Sequence, residues 1–213
     1  VYFDGEKGEK IRREAIPENL KAEVEKHRAE LVEKIVSEDD ALMHAYLEGK
    51  EASLADLKRV LRKAVIANEV VPVFCGSALK NKGVQLVLDA VVEYLPSPLD
   101  IPPVTGINPK TGEAVMRHAA DDEPFCALAF KLQTDPFVGA LTFFRVYSGI
   151  IQAGTYIYNS STGTKERLGR IVRLQADKRE EVKEVFAGEI AAAVGLKDAK
   201  TSHTLSDEEH PIV

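Results

Sequence analysis

The sequence predicts an α+β chain in two parts: a helical region ending in one strand–loop–helix unit, then an antiparallel β-barrel. Three observations carry this expectation. Val71 to Leu95, reading VPVFCGSALKNKGVQLVLDAVVEYL, sets a short apolar run, a polar loop and a strongly apolar run in succession. That is the grammar of a buried parallel strand and its helix. Pro96, Pro98, Pro102 and Pro103 then fall close together, removing backbone donors and stiffening the chain as a linker does. Beyond them the apolar period changes to short runs divided by glycines, several alternating, the signature of a barrel or sandwich.

The composition bounds the rest. The chain has 213 residues, 45% hydrophobic and 29% charged, a soluble globular profile with room for one or two domains. No apolar run is long enough to span a bilayer and no signal peptide opens the chain, so a cytoplasmic location without a membrane partner is expected. The net charge of −6 gives no global field towards nucleic acid, so any RNA contact needs a local patch. Cys75 and Cys126 both lie in apolar runs and are expected to be reduced and buried.

In order, Val1 to Ile16 reads as a weak hairpin with a glycine tip around Asp4-Gly5-Glu6-Lys7-Gly8. Pro17 suits a first helical position. Leu20, Val24, Leu31 and Ile35, with His27, recur at helical spacing across Glu18 to Val36. Ser37 with Asp40 has capping-box spacing for a second helix, which Gly49 closes. Ser53 with Asp56 starts a third, carrying Leu54, Leu57, Val60, Leu61 and Val65. The run Val70 to Cys75 is a strand, and Gly83 opens the last helix. A strand buried on both faces needs neighbours, and no second unit of this kind occurs. The expectation is therefore the end of a larger α/β domain, over residues 1–98.

Residues 99–213 form the second domain. Phe125 to Leu132 is strand-like. Leu141, Phe143, Arg145 and Tyr147 share one strand face, with Thr142, Phe144 and Val146 on the other. Thr155 to Tyr158, Leu168 to Leu174, Ile190 to Val194 and Pro211 to Val213 supply further strands, and 160–163 is a turn.

Several words of this sequence are similar to those of one family. Cys75-Gly76-Ser77-Ala78-Leu79-Lys80-Asn81-Lys82-Gly83-Val84-Gln85 resembles the last guanine-contacting loop of translational GTPases, elongation factor G in particular. Phe144-Arg145-Val146-Tyr147-Ser148-Gly149, Glu166 to Ile171, Ala187 to Ala192 and Val194 to Asp198 resemble the barrel that follows the GTPase domain. The resemblance implies a fragment of a P-loop GTPase α/β domain with a helical insert, followed by a translation-factor-type antiparallel β-barrel. It implies guanine contact at Ser77, Ala78 and Leu79. It implies a parent that drives GTP-dependent translocation of transfer RNA and messenger on the ribosome. One word departs: where the family usually has Thr-Gly-Asp-Thr-Leu, this chain has Thr201-Ser202-His203-Thr204-Leu205, which puts a tight left-handed turn there in doubt.

As residues alone, Ser77 to Leu79 also fit an ordinary βα loop in which Ser77 satisfies a nearby backbone group. A basic patch stands out from the acidic background: Lys165, Arg167, Arg170, Arg173, Lys178, Arg179 and Lys183, opposed by Glu166, Asp177, Glu180 and Glu181. It reads either as a solvated face with cross-strand pairs or, by the resemblance, as phosphate contact with small-subunit ribosomal RNA. The resemblance also places the ribosomal stalk protein against the Glu18 to Val36 helix, and the rest of the GTPase domain and downstream domains around the chain.

No G-x-x-x-x-G-K-[ST] loop is present. GTP or GDP, with its magnesium, is expected in the intact parent and not on this chain alone, which is expected to be no enzyme by itself. The five histidines lack metal spacing. A related ribosome-protection or release-factor GTPase, or a binding module without a nucleotide role, is the alternative. A remote one is a serine acyl-enzyme hydrolase, from Ser77-x-x-Lys80 and Lys110-Thr111-Gly112.

Overall fold

The computed structural model describes residues 1–135, 139–176 and 178–213. It divides into two compact units, Val1–Pro96 and Ser97–Val213. No described helix is long and apolar enough to cross a membrane.

The first unit opens with a hairpin of β1 (Tyr2–Asp4) and β2 (Lys10–Arg12). After a 3-10 turn at Glu18–Leu20 come α1 (Lys21–Val36), α2 (Asp40–Leu47), α3 (Leu54–Ile66) and, later, α4 (Val84–Tyr94). A small core of Ile35, Val36, Leu57 and Val60 joins α1 to α3, with Leu42, Met43 and Tyr46 of α2 against it. Only the C-terminal end of α1 is buried. Its stripe of Leu20, Val24 and Leu31 stays exposed.

The caps explain where these helices begin. Ser53 accepts from the Asp56 N–H at 3.1 Å, the capping geometry its spacing predicts. At α2 the expectation needs correcting. Asp39, not Ser37, is the cap, accepting from the Leu42 N–H at 3.0 Å. Ser37 instead ends α1 and turns its hydroxyl back to the Lys34 carbonyl. Gly49 and Gly83 take positive φ, 82° and 79°, where helices stop and start.

The expected strand at Val70 to Cys75 does not form. Its apolar side chains are in water, Val71 at 82% and Val73 at 86% exposure, and Cys75 is exposed rather than buried. A strand is defined by its neighbours' backbone groups, and none is offered here. The helix after it needs only its own hydrogen bonds, so α4 forms while burying just Ala90. Its tie to α3 is polar: Lys58 pairs with Glu93, and Arg62 donates to the Glu93 carbonyl at 2.7 Å.

The second unit begins with a hairpin of β3 (Val104–Ile107) and β4 (Ala114–Arg117). The strands that follow are β5 (Cys126–Asp135), β6 (Gly139–Ser148), β7 (Ile151–Gln152), β8 (Tyr156–Asn159), β9 (Thr164–Arg167), β10 (Arg170–Gln175), β11 (Lys178–Val182), β12 (Glu184–Val185), β13 (Ile190–Val194) and β14 (Thr204–Ser206). Eight of them make one antiparallel sheet in the order β11-β10-β13-β6-β5-β14-β8-β9. The strip 151–155 spans its two free edges. β7 pairs with β12, Ala153 donates to Lys183, Gly154 donates to Leu168, and Leu168 donates to Thr155. The sheet is thereby closed into a barrel.

Its interior holds Phe144, Val146, Ala127, Ala129, Ile157, Leu168, Ile171, Val185, Ala191, Ala193 and Leu205. The β6 alternation is as the sequence requires, with Thr142, Phe144 and Val146 buried and Arg145 and Tyr147 half-buried outside. Leu141, Val172 and Ala192 form a second small cluster, with Phe143, Leu174 and Val194 packed against it. Cys126 is buried, and desolvation pushes its thiol pKa up to about 11.

The segment 211–213, read as a strand, does not form one of these strands. Val213 alone exchanges two hydrogen bonds with Ile107, at 2.8 and 2.9 Å. The doubt over the Thr201-Ser202-His203 turn also resolves: Ser202 adopts φ 72° itself. The turn survives the loss of glycine because His203 donates to the Lys200 carbonyl at 3.1 Å and Ser202 donates to Ala129 at 2.7 Å.

Candidate nucleotide loop and nucleic-acid interface

The loop 77–82 is closed by a reciprocal backbone pair. Ser77 donates to the Lys82 carbonyl and Lys82 to the Ser77 carbonyl, each at 2.9 Å. Asn81 donates to the Ala78 carbonyl at 3.1 Å, completing a tight turn. Ser77 is half-buried, and Ala78 and Leu79 stand at the apex in solvent. Among the described residues, the backbone N–H groups of Ala78 and Leu79 make no hydrogen bond. They are donors at the apex of a hydrogen-bonded turn, a geometry suited to one carbonyl oxygen.

The same geometry disposes of the acyl-enzyme reading. Ser77 and Lys80 lie across a turn, not one helical turn apart, and it is the Lys80 backbone N–H that approaches the Ser77 hydroxyl, at 3.4 Å. Lys110-Thr111-Gly112 is the tip of the β3–β4 hairpin in the other unit. Among the described residues no group of three or more His, Cys, Asp and Glu is placed to hold a metal.

The basic residues divide into two sets. Lys165, on β9, pairs with Glu208, whose carboxylate raises the lysine's pKa by hydrogen bonding and charge. Arg173, on β10, pairs with Glu189 at 2.7 Å. Arg179, on β11, meets the buried carboxylate of Asp135 through both of its terminal nitrogens. Arg167, Arg170, Lys178 and Lys183 are exposed and make no ion pair among the described residues. Asp177, an acid counted against the patch, lies outside the described residues.

One acid counted against the patch in the sequence is buried instead. Glu166, in the same β9 stretch, turns inward and accepts from the Lys197 and Asp198 N–H groups at 2.6 and 3.0 Å. Its charge is thus spent on the barrel wall and does not oppose the outer cations. Strand alternation could have signalled this, because Glu166 stands between Lys165 and Arg167 and must face the opposite way.

A closed antiparallel barrel following a helical unit that ends in a glycine-opened helix is, with the two likenesses below, the fold of a translation-factor barrel after part of a GTPase domain. Residues 124–208 match the family model for elongation factor G domain 2. Those residues are such a domain. The whole fold is also similar to the crystal structure of ttk003000868 from Thermus thermophilus, with a TM-score of 0.72 and 27% sequence identity. That likeness covers 94% of this chain and 27% of that one, so the chain spans little more than a quarter of that protein's length.

Proposed function

We propose that this chain serves GTP-dependent translocation of transfer RNA and messenger on the ribosome, contributing part of guanine recognition and a ribosome-docking barrel. The observation that carries the proposal is the elongation factor G domain 2 at residues 124–208. The free Ala78 and Leu79 N–H groups support guanine contact, because a base carbonyl is the acceptor they fit and adenine lacks one there. The turn would supply only this end of the nucleotide site. The phosphates of GTP or GDP and their magnesium call for a phosphate loop and hard oxygen ligands. No G-x-x-x-x-G-K-[ST] loop occurs in this sequence, so those groups would be held by other parts of the parent, and hydrolysis is assigned to that parent rather than to this chain by itself.

Arg167, Arg170, Lys178 and Lys183 are the cations free to meet phosphates of small-subunit ribosomal RNA. Lys165, Arg173 and Arg179 would first have to leave their carboxylates. By the same reading, the ribosomal stalk protein would meet the Glu18 to Val36 helix, whose stripe of Leu20, Val24 and Leu31 is exposed.

The test is co-sedimentation with small ribosomal subunits across a salt series. Binding should weaken steeply with salt. Arg167→Ala with Arg170→Ala should reduce it and flatten the salt slope, while Arg173→Ala should matter less. Absence of binding at low salt would count against the docking role of the barrel.

A further inference from the structure

The loop 77–82 has no core of its own. The segment before it is unpaired, and Leu79 at its apex is 96% exposed. Besides its internal hydrogen bonds, it has a tie far away in sequence. The Asn81 side-chain amide donates to the Lys7 carbonyl at 2.6 Å, across the tip of the β1–β2 hairpin. Gly8 completes that contact from the hairpin side. Its φ is +60°, and a Cβ there would stand 2.5 Å from the Asn81 carbonyl oxygen and 3.3 Å from that of Lys80. The hairpin tip therefore lies backbone to backbone against the turn. Asn81 is also left-handed, at φ 50°, a conformation asparagine tolerates better than most residues. Both partners are thus chosen for the contact: a glycine that lets the chains touch, and an asparagine that holds its strained turn while reaching across.

We propose that the β1–β2 hairpin tip is a positioning clamp for the 77–82 turn, acting through Asn81 and Gly8. It holds the Ala78 and Leu79 donors in the orientation a carbonyl needs. The inference rests on the guanine-reading role proposed above, and it makes Asn81 a positioning residue rather than a contact. Because coupling between two groups is reciprocal, whatever moves the hairpin also loosens the turn.

Amide hydrogen exchange on this chain tests the clamp without nucleotide. Asn81→Asp keeps the side-chain shape but sets a carboxylate oxygen against the Lys7 carbonyl. Gly8→Ala drives the two backbones apart. Each should speed exchange of the Ser77 and Lys82 amides about tenfold, as for loss of one net hydrogen bond. Asn81→Gly, which removes the tether but relaxes the φ strain, should fall between them and the parent. Gly8→Ala added to Asn81→Asp should change little more, since both break one contact. The amides within α3 report whether the unit remains folded. Faster exchange confined to the turn supports the clamp. Unchanged exchange at Ser77 and Lys82 overturns it, and so does equal loss across α3, which would make the contact a general stabiliser. If the clamp fails, guanine reading by Ala78 and Leu79 stands. If substitutions at 77–79 leave GTP affinity of the complete parent unchanged, guanine reading fails and the clamp stands.

Discussion

Ser202 holds a φ of 72° that costs any residue with a Cβ. Ser202→Gly should raise stability by about 0.5–1 kcal/mol, read as a higher urea midpoint at constant slope. His203, beside it, takes over an acceptor's work: its Nδ1 receives the Lys200 N–H at 3.2 Å and lies 3.1 Å from the Asn159 amide nitrogen. The two cysteines separate by exposure. Cys75 should react at once with a thiol reagent, and Cys126 only on unfolding. The raised pKa of Cys126 also fixes a sign. The unfolded thiol ionises first, so the folded state binds the extra proton between about 9 and about 11. Stability should fall as pH rises through that window, and Cys126→Ala should blunt the fall. Glu166→Ala strips an acceptor from two backbone N–H groups and should cost about 2 kcal/mol, whereas Glu166→Gln keeps an oxygen there and should recover much of it.

Elements were legible where local chemistry decides them. The start of α3 follows from Ser53 and Asp56 alone, and Ser53→Ala should cost about 1 kcal/mol in thermal unfolding. The β6 alternation and the glycine-opened α4 follow likewise from spacing. What the sequence hid is what depends on distant backbone. The run 70–75 has every residue preference of a strand and no partner to become one. The short ladders of β3 with β4 and of β7 with β12 have too few residues to show a period. The site divides in the same way. The turn was readable from Ser77 to Leu79, and the cations from their clustering. Their engagement by Glu208, Glu189 and Asp135, and the reach of Asn81 to Lys7, come only from tertiary register.

At the scale of the whole molecule, the two units owe their order to different things. The barrel closes on itself and buries a continuous interior. The first unit leaves Val71, Val73, Leu88 and Val92 in water. Its segment 70–76 and the outer face of α4 should therefore exchange amide protons faster than β6 or β13, and should bind a hydrophobic dye that the isolated barrel does not. Supplying the remainder of a GTPase sheet should quench that dye signal.

The pairing of Val213 with Ile107 puts the last residue of the second unit beside its first strand. Gly106 allows the approach, since a Cβ there would lie 2.6 Å from the Val213 carbonyl oxygen. The barrel is thus hung from a two-strand handle. Tension applied between the segment before β3 and residue 213 meets these two hydrogen bonds before the barrel wall, so a pull there should unzip the handle first and leave the barrel intact.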